Sequence, residues 1–155
     1  MSSDLAAKLR LGLGELSAVR EQFGVLLALE GRDTQGVIER SAACAMLHSF
    51  YTEIEKLLKL IAREWDGRLP ASDAWHKELL LQMAAGTDGR PAVLSDSLVA
   101  VLSEYLAFRH LFRGASIVLM RWEKLLPLLQ RAGDTHDRVD TEIRAFIGFL
   151  EGDHE

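Results

Sequence analysis

The stretch LHSFYTEIEKLLKLIAREW, residues 47–65, decides the fold class of this chain. Its apolar residues recur at steps of three and four, so they share one helix face; they are Leu47, Phe50, Ile54, Leu57, Ile61 and Trp65. Asp66-Gly67 and Pro70 then end the pattern, because Gly supplies a left-handed exit and Pro cannot continue a helix. We predict an amphipathic helix that ends near Trp65.

Two further helices flank this one in the sequence. Residues 4 to about 30 carry the same spacing, weakened by Gly12, Gly14 and Gly24, and residues 31–34 supply a stop and a new N-cap. The apolar positions of that helix are Leu5, Leu9, Leu13, Leu16, Phe23 and Leu26. After Pro70, Ser72 or Asp73 caps a short third helix through Met83, in which Trp75, Leu79 and Met83 face inward.

The second half of the chain predicts two more helical sections. Ser95 is a natural N-cap with Leu94 as a hydrophobic staple, and the stripe that follows is Leu98, Leu102, Tyr105, Arg109 and Phe112. Gly114 is expected to bend this helix, and Pro127 to break or kink its continuation. Residues 133–135 are expected to end that section, before a final helix with Val139, Ile143, Phe146 and Leu150 on one face.

Composition agrees with one helical domain over residues 1–155. The chain is 48% hydrophobic and 26% charged, with few β-branched residues, which favours an all-α antiparallel bundle of about five helices over a sheet. Its predicted core contains Leu47, Phe50, Ile54, Ile61, Leu98, Leu102, Tyr105 and Phe112. The net charge of −5 provides no global positive field for nucleic acid, so any RNA contact must be local.

Other function classes are excluded by what the sequence lacks. The single Cys44 permits no internal disulfide, and the longest apolar runs are too short for a bilayer span of roughly 20 residues, so we expect a cytoplasmic protein without membrane contact. We find no phosphate-binding glycine loop, dinucleotide fingerprint or paired-histidine zinc helix, and expect no cofactor and no metal. Cys44 and His48 are interpreted as a buried thiol beside a packed histidine, and His76, His136 and His154 as surface or cap histidines.

Arg109 is the residue that the pattern does not explain, because it falls on the buried stripe of an otherwise apolar helix. Burying a lone guanidinium is costly unless it is paired or lines a polar cleft. One explanation is that Arg109 snorkels or pairs with a carboxylate such as Glu55. The other is a phosphate-binding cleft, in which Arg109 and Arg113, four residues apart on one face, hold an RNA backbone and His110 lies at the rim.

Several short motifs, taken in order, resemble one protein family. They are Leu47-His48-Ser49-Phe50-Tyr51-Thr52-Glu53-Ile54-Glu55, Asp66-Gly67, Trp75-His76, Arg90-Pro91, Leu94-Ser95 and Phe108-Arg109-His110-Leu111-Phe112-Arg113. This arrangement resembles the HepT-like ribonuclease toxins of the HEPN superfamily. The resemblance implies a helical bundle that homodimerises, a metal-independent RNase site at the dimer cleft, and an antitoxin partner with a minimal nucleotidyltransferase fold.

The motif that carries the chemistry of that family is incomplete in this chain. The family pattern is an arginine, a histidine four to six residues later and often a tyrosine two beyond it. Arg109 matches the arginine, whereas Gly114 stands at the histidine position and Ser116 at the tyrosine position. Glycine cannot move a proton, and Ser116 lacks the phenol that the antitoxin is thought to adenylylate in related systems.

Three hypotheses follow. The first is a HepT-like member of a toxin-antitoxin pair with a degenerate, weak or inactive RNase site that keeps Arg109 and Arg113 as RNA contacts. The second is a working RNase that uses His110 with Arg109 and Arg113, although adjacent helical side chains point about 100° apart. The third is a non-catalytic helical module that binds only a partner chain.

Overall fold

Helices form almost all of the computed structural model, which describes residues 2–27, 36–114 and 120–152; the side chains of 25–27 and 112–114 are outside that description. The five helices are α1 (Ser2–Leu27), α2 (Val37–Ile61), α3 (Trp75–Ala84), α4 (Asp96–Gly114) and α5 (Trp122–Leu150). Within the described ranges, the only strand-like pairing is an isolated bridge between Thr87 and Arg90. The prediction of an all-α bundle of about five helices is confirmed.

The long helices pack against one another around a single core. Lys8, near the start of α1, binds Glu64 beyond the end of α2. Phe23, near the end of α1, packs edge-on against Phe50 of α2, with ring centroids 5.3 Å apart. These contacts make α1 antiparallel to α2. The core residues predicted from sequence are buried, namely Leu47, Phe50, Ile54, Ile61, Leu98, Leu102 and Tyr105, and the Phe112 side chain lies outside the description.

Helix α1 is continuous through Gly12, Gly14 and Gly24, the glycines that were expected to weaken it. Gly12 lies directly against α2, because a Cβ at this position would be only 2.6 Å from Cδ2 of Leu57. Residues 31–34, predicted to stop the first helix and cap the second, lie outside the described residues, and α2 begins at Val37 after Gly36.

The end of α2 and the cap of α4 follow the sequence signals, whereas the predicted cap of α3 does not form. After α2, helical structure continues as a π-helical turn, Ala62–Asp66, and Gly67 ends it with a φ of 72°. Trp65 is half-exposed instead of buried and packs edge-on against Phe149.

Ser95 caps α4 by accepting a hydrogen bond from Leu98 N at 3.2 Å. The prediction that Ser72 or Asp73 caps α3 is wrong, because the N-cap is Ala74 and no side chain caps this helix. Ser72 Oγ instead accepts a hydrogen bond from Ala74 N at 3.1 Å, in the turn before α3.

The prediction of a break at Pro127 and an end at residues 133–135 is wrong. One helix, α5, runs from Trp122 to Leu150 with Pro127 and Gly133 inside it. Pro127 is the sixth residue of α5, where it removes one backbone hydrogen bond and crowds the carbonyl of Glu123. Gly133 faces Arg20, whose Nη2 would lie 3.4 Å from a Cβ there, and Thr135 is buried in the core. Burial of a continuous apolar stripe therefore outweighs the local helix-breaking tendency.

His136 is also buried, which corrects its assignment as a surface histidine. Its Nδ1 accepts a hydrogen bond from Arg20 Nη1 at 2.9 Å, and its Nε2 lies 3.4 Å from Ser17 Oγ. Burial, with the Arg20 charge, lowers the pKa of His136 and keeps the ring neutral. His154 lies outside the described residues. Among the helices described, none combines the length and apolar character that a membrane crossing requires.

Candidate functional site

A cluster of polar side chains lies where α2, α3 and α4 meet. Glu55 comes from α2, His76 from the first turn of α3, and Arg109 and His110 from α4. The apolar stripes of the three helices fix this meeting point, because residues next to Glu55 and Arg109, such as Ile54 and Phe108, are buried in the core. The site is therefore held by packed helices and not by loops.

Glu55 is the centre of the cluster and uses both carboxylate oxygens. Its Oε1 accepts a hydrogen bond from Arg109 Nη1 at 2.9 Å, and its Oε2 lies 2.7 Å from His76 Nδ1. The Glu55 side chain is 5% exposed, so its charge is almost fully removed from water. A buried carboxylate needs such partners, and Arg109 and His76 supply them.

Arg109 is only partly satisfied by these contacts. Its side chain is 15% exposed. Its Nε is buried without a hydrogen-bond partner, and among the described residues only Glu55 binds its guanidinium. A guanidinium carries five N–H donors in a rigid fork, which suits two-point binding of a phosphate or carboxylate. Arg109 therefore keeps donor capacity beyond its ion pair.

Aromatic rings form one wall of the site. His76 stacks on Trp75 with ring centroids 3.6 Å apart and an interplanar angle of 28°. Lys59 Nζ lies over the Trp75 ring, 4.3 Å from its centroid. His110, which is exposed, meets His76 edge-on at 5.7 Å.

Tyr51 lies one turn before Glu55 on α2 and is buried. Burial raises the pKa of Tyr51 far above its usual value, the Glu55 charge raises it further, and the Arg109 charge opposes both. Its phenol therefore stays protonated at any physiological pH. Tyr51 lies beside the ion pair as a neutral polar group and does not add charge to the site.

A second ionic cluster fixes the other end of α3. Arg90, whose side chain is fully buried, binds Asp66 through Nε at 2.7 Å and through Nη2 at 2.8 Å. Gln82 Nε2 donates to the same carboxylate at 2.8 Å. Burial alone would raise the pKa of Asp66, but the hydrogen bonds from Arg90 and Gln82 outweigh it and lower that pKa. The loop after α3 is thereby tied to the end of α2.

The structure brings together some of the residues predicted from sequence and leaves others undescribed. The predicted ion pair between Arg109 and Glu55 is present, and His110 lies beside it at the surface. Gly114 is the last residue of α4. The side chain of Arg113 and all of Ser116 lie outside the described residues. The roles assigned to these residues in RNA binding and catalysis stay predictions.

His76 is the site residue that sequence reasoning missed. It was interpreted as a surface or cap histidine, yet it is 7% exposed and bound to Glu55. The Trp75-His76 pair was already part of the family resemblance, so the motif itself contained the signal. What the spacing could not reveal is that residues 55, 76 and 109, on three different helices, converge.

Comparison with known proteins gives one finding. No curated protein and no solved structure matches the chain. The family model described as HepT-like protein matches residues 42–150, a span that contains Glu55, His76, Arg109 and His110. Because this span covers well over half of the sequence, the chain belongs to the HepT-like family.

Proposed function

We propose that this protein is the toxin-type component of a toxin-antitoxin pair, related to metal-independent RNases, whose site binds RNA but cleaves it weakly or not at all. Arg109 binds a backbone phosphate in this proposal, with Arg113 one turn further along α4 as a second contact. The observation that carries the proposal is the partly exposed guanidinium of Arg109, which within the described ranges makes a hydrogen bond to Glu55 alone. Glycine at position 114 leaves the family motif without its proton-transferring group.

RNA binding tests the first half of this proposal. Fluorescence anisotropy with a labelled RNA oligonucleotide in EDTA compares the wild type with Arg109→Ala. We expect Arg109→Ala to weaken binding about 10- to 100-fold, the effect of losing a charge-assisted contact of about 1.5–3 kcal/mol. Arg144→Ala is the control, because Arg144 is an exposed arginine paired with Asp140 on α5. Equal affinity of wild type and Arg109→Ala would contradict the proposal.

Restoring the motif tests the second half. Gly114→His combined with Ser116→Tyr should raise metal-free RNA cleavage and growth inhibition above those of the unaltered chain. General acid-base catalysis contributes a factor of about 10²–10⁴, which sets the upper range of the gain. RNA fragments separated on a denaturing gel give the rate. Robust cleavage by the unaltered protein, with no gain in the double variant, would contradict a degenerate site and favour the working RNase.

The partner proposals rest on family membership. We propose a nucleotidyltransferase-type antitoxin as the partner chain, and a symmetric homodimer with α4 near the two-fold axis. The exposed Leu111, which follows His110 on α4, supports an interface there. Co-purification with the product of a neighbouring gene tests the first, and light scattering at micromolar concentration tests the second. A chain that binds the nucleotidyltransferase but no RNA would be an interaction module instead.

A further inference from the structure

Two imidazoles lie side by side next to Arg109, although the family motif has lost its histidine. His76 projects from α3 and His110 from α4, and their ring centroids are 5.7 Å apart. Arg109, the neighbour of His110, shares the Glu55 carboxylate with His76. Glu55 therefore links His76 to Arg109, and the buried His76 ring contacts the exposed His110 ring.

Glu55 determines which nitrogen of His76 is available. A carboxylate only accepts hydrogen bonds, so Nδ1 of His76 carries the proton in its 2.7 Å contact with Oε2 of Glu55. The basic lone pair then resides on Nε2, with which no described residue forms a hydrogen bond. Trp75 holds the ring from one side by stacking at 3.6 Å.

We propose that His76 and His110 form an acid-base pair beside Arg109, which supplies the proton transfers that residue 114 cannot. This inference rests on the proposed function, because it assumes that Arg109 binds an RNA phosphate. In this proposal, metal-independent cleavage by the chain depends on side chains from three helices, α2, α3 and α4. Glu55 is a positioning residue in this site, since it acts through His76 and Arg109.

The reaction is a transesterification that balances without any co-reactant. Nε2 of neutral His76 takes the proton of a ribose 2′-hydroxyl while the O2′–P bond forms. The P–O5′ bond breaks, and protonated His110 gives its proton to the departing 5′ oxygen. Arg109 stabilises the charge of the pentacoordinate phosphorus. The products are a 2′,3′-cyclic phosphate and a 5′-hydroxyl, and exchange with water resets both imidazoles.

Cleavage of an RNA oligonucleotide in EDTA, followed between pH 4.5 and 9, tests the pair. The critical variant is His76→Asn, because the asparagine amide can still donate to Glu55 from the position of Nδ1 but cannot accept a proton. We expect His76→Asn to lower the rate about 10²-fold or more. The bell-shaped profile of the wild type should lose its acidic limb in His76→Asn and its alkaline limb in His110→Ala. A merely structural role would lower the whole curve and keep its shape.

Two further variants make the result decisive. His136→Asn alters another buried histidine, on α5, and should keep both the rate and the profile. Arg109→Ala, prepared in parallel, sets the background from contaminating nucleases. Two outcomes would overturn the acid-base pair and leave the proposed function standing. The first is an equal rate for His76→Asn and the wild type. The second is RNA binding that depends on Arg109 without wild-type cleavage above that background. Absence of RNA binding would overturn both.

Discussion

Two arginines lie near opposite ends of α3, and they use their donors differently. Arg90 places all five N–H groups: two on Asp66, and one each on the carbonyls of Gln82, Ala85 and Pro91. Arg109 places one on Glu55, and among the residues that the structure describes its buried Nε finds no acceptor. A saturated guanidinium holds the fold together, whereas an unsaturated one retains donors for a ligand. We infer structure from the first and function from the second.

Removal of Arg90 should produce the largest loss of stability. Arg90→Ala leaves the Asp66 carboxylate buried with Gln82 as its remaining side-chain donor, and breaking a buried ion pair costs about 3–5 kcal/mol. Urea denaturation followed by circular dichroism measures the change. Arg144→Ala, at an exposed pair on α5, should change the free energy of unfolding by less than about 1 kcal/mol. Similar losses in both variants would remove the distinction between a structural and a surface arginine.

Removal of Arg109 should cost less stability than removal of Arg90. Arg109→Ala deletes one hydrogen bond to a charged group, worth about 1.5–3 kcal/mol, and Glu55 keeps its contact with His76. The same denaturation experiment provides the number. If Arg109→Ala destabilises the protein as much as Arg90→Ala, Arg109 is a structural residue, and the contrast between the two arginines is wrong.

The smallest effect concerns acid pH. The pKa of Asp66 is lowered in the folded protein from its ordinary 3.8, so its contribution is complete above about pH 4 and is lost as the pH falls through the folded value. The difference in unfolding free energy between wild type and Asp66→Asn should therefore be greater at pH 6 than at pH 2.5. Asp140→Asn, at the pair with Arg144, should differ little from wild type throughout. A constant difference for Asp66→Asn would contradict the assigned shift.

The sequence predicted features that depend on neighbouring residues better than it predicted which side chains from different helices meet. The stripe of α2, the Ser95 cap and the Gly67 exit depend on neighbouring residues, and the structure contains all three. The Arg109–Glu55 pair was also predictable, because a guanidinium on a buried stripe requires a partner. Pro127 misled the prediction, since tertiary burial of the α5 stripe outweighs one missing hydrogen bond. His76 was missed because the Trp75-His76 motif, although part of the family resemblance, does not show that residues 55, 76 and 109 converge.

The most direct test of the central claim compares the side-chain Nε–H resonances of Arg109 and Arg90 by nitrogen-proton NMR. The ligand is an oligodeoxynucleotide. It carries the same backbone phosphates as RNA but lacks the 2′-hydroxyl group, so it cannot be cleaved by transesterification. We expect the Arg109 signal to shift in proportion to occupancy, and the Arg90 signal to stay in place because all five N–H groups of Arg90 are already hydrogen-bonded. An unchanged Arg109 signal at saturating oligonucleotide would contradict a phosphate-binding role for this site.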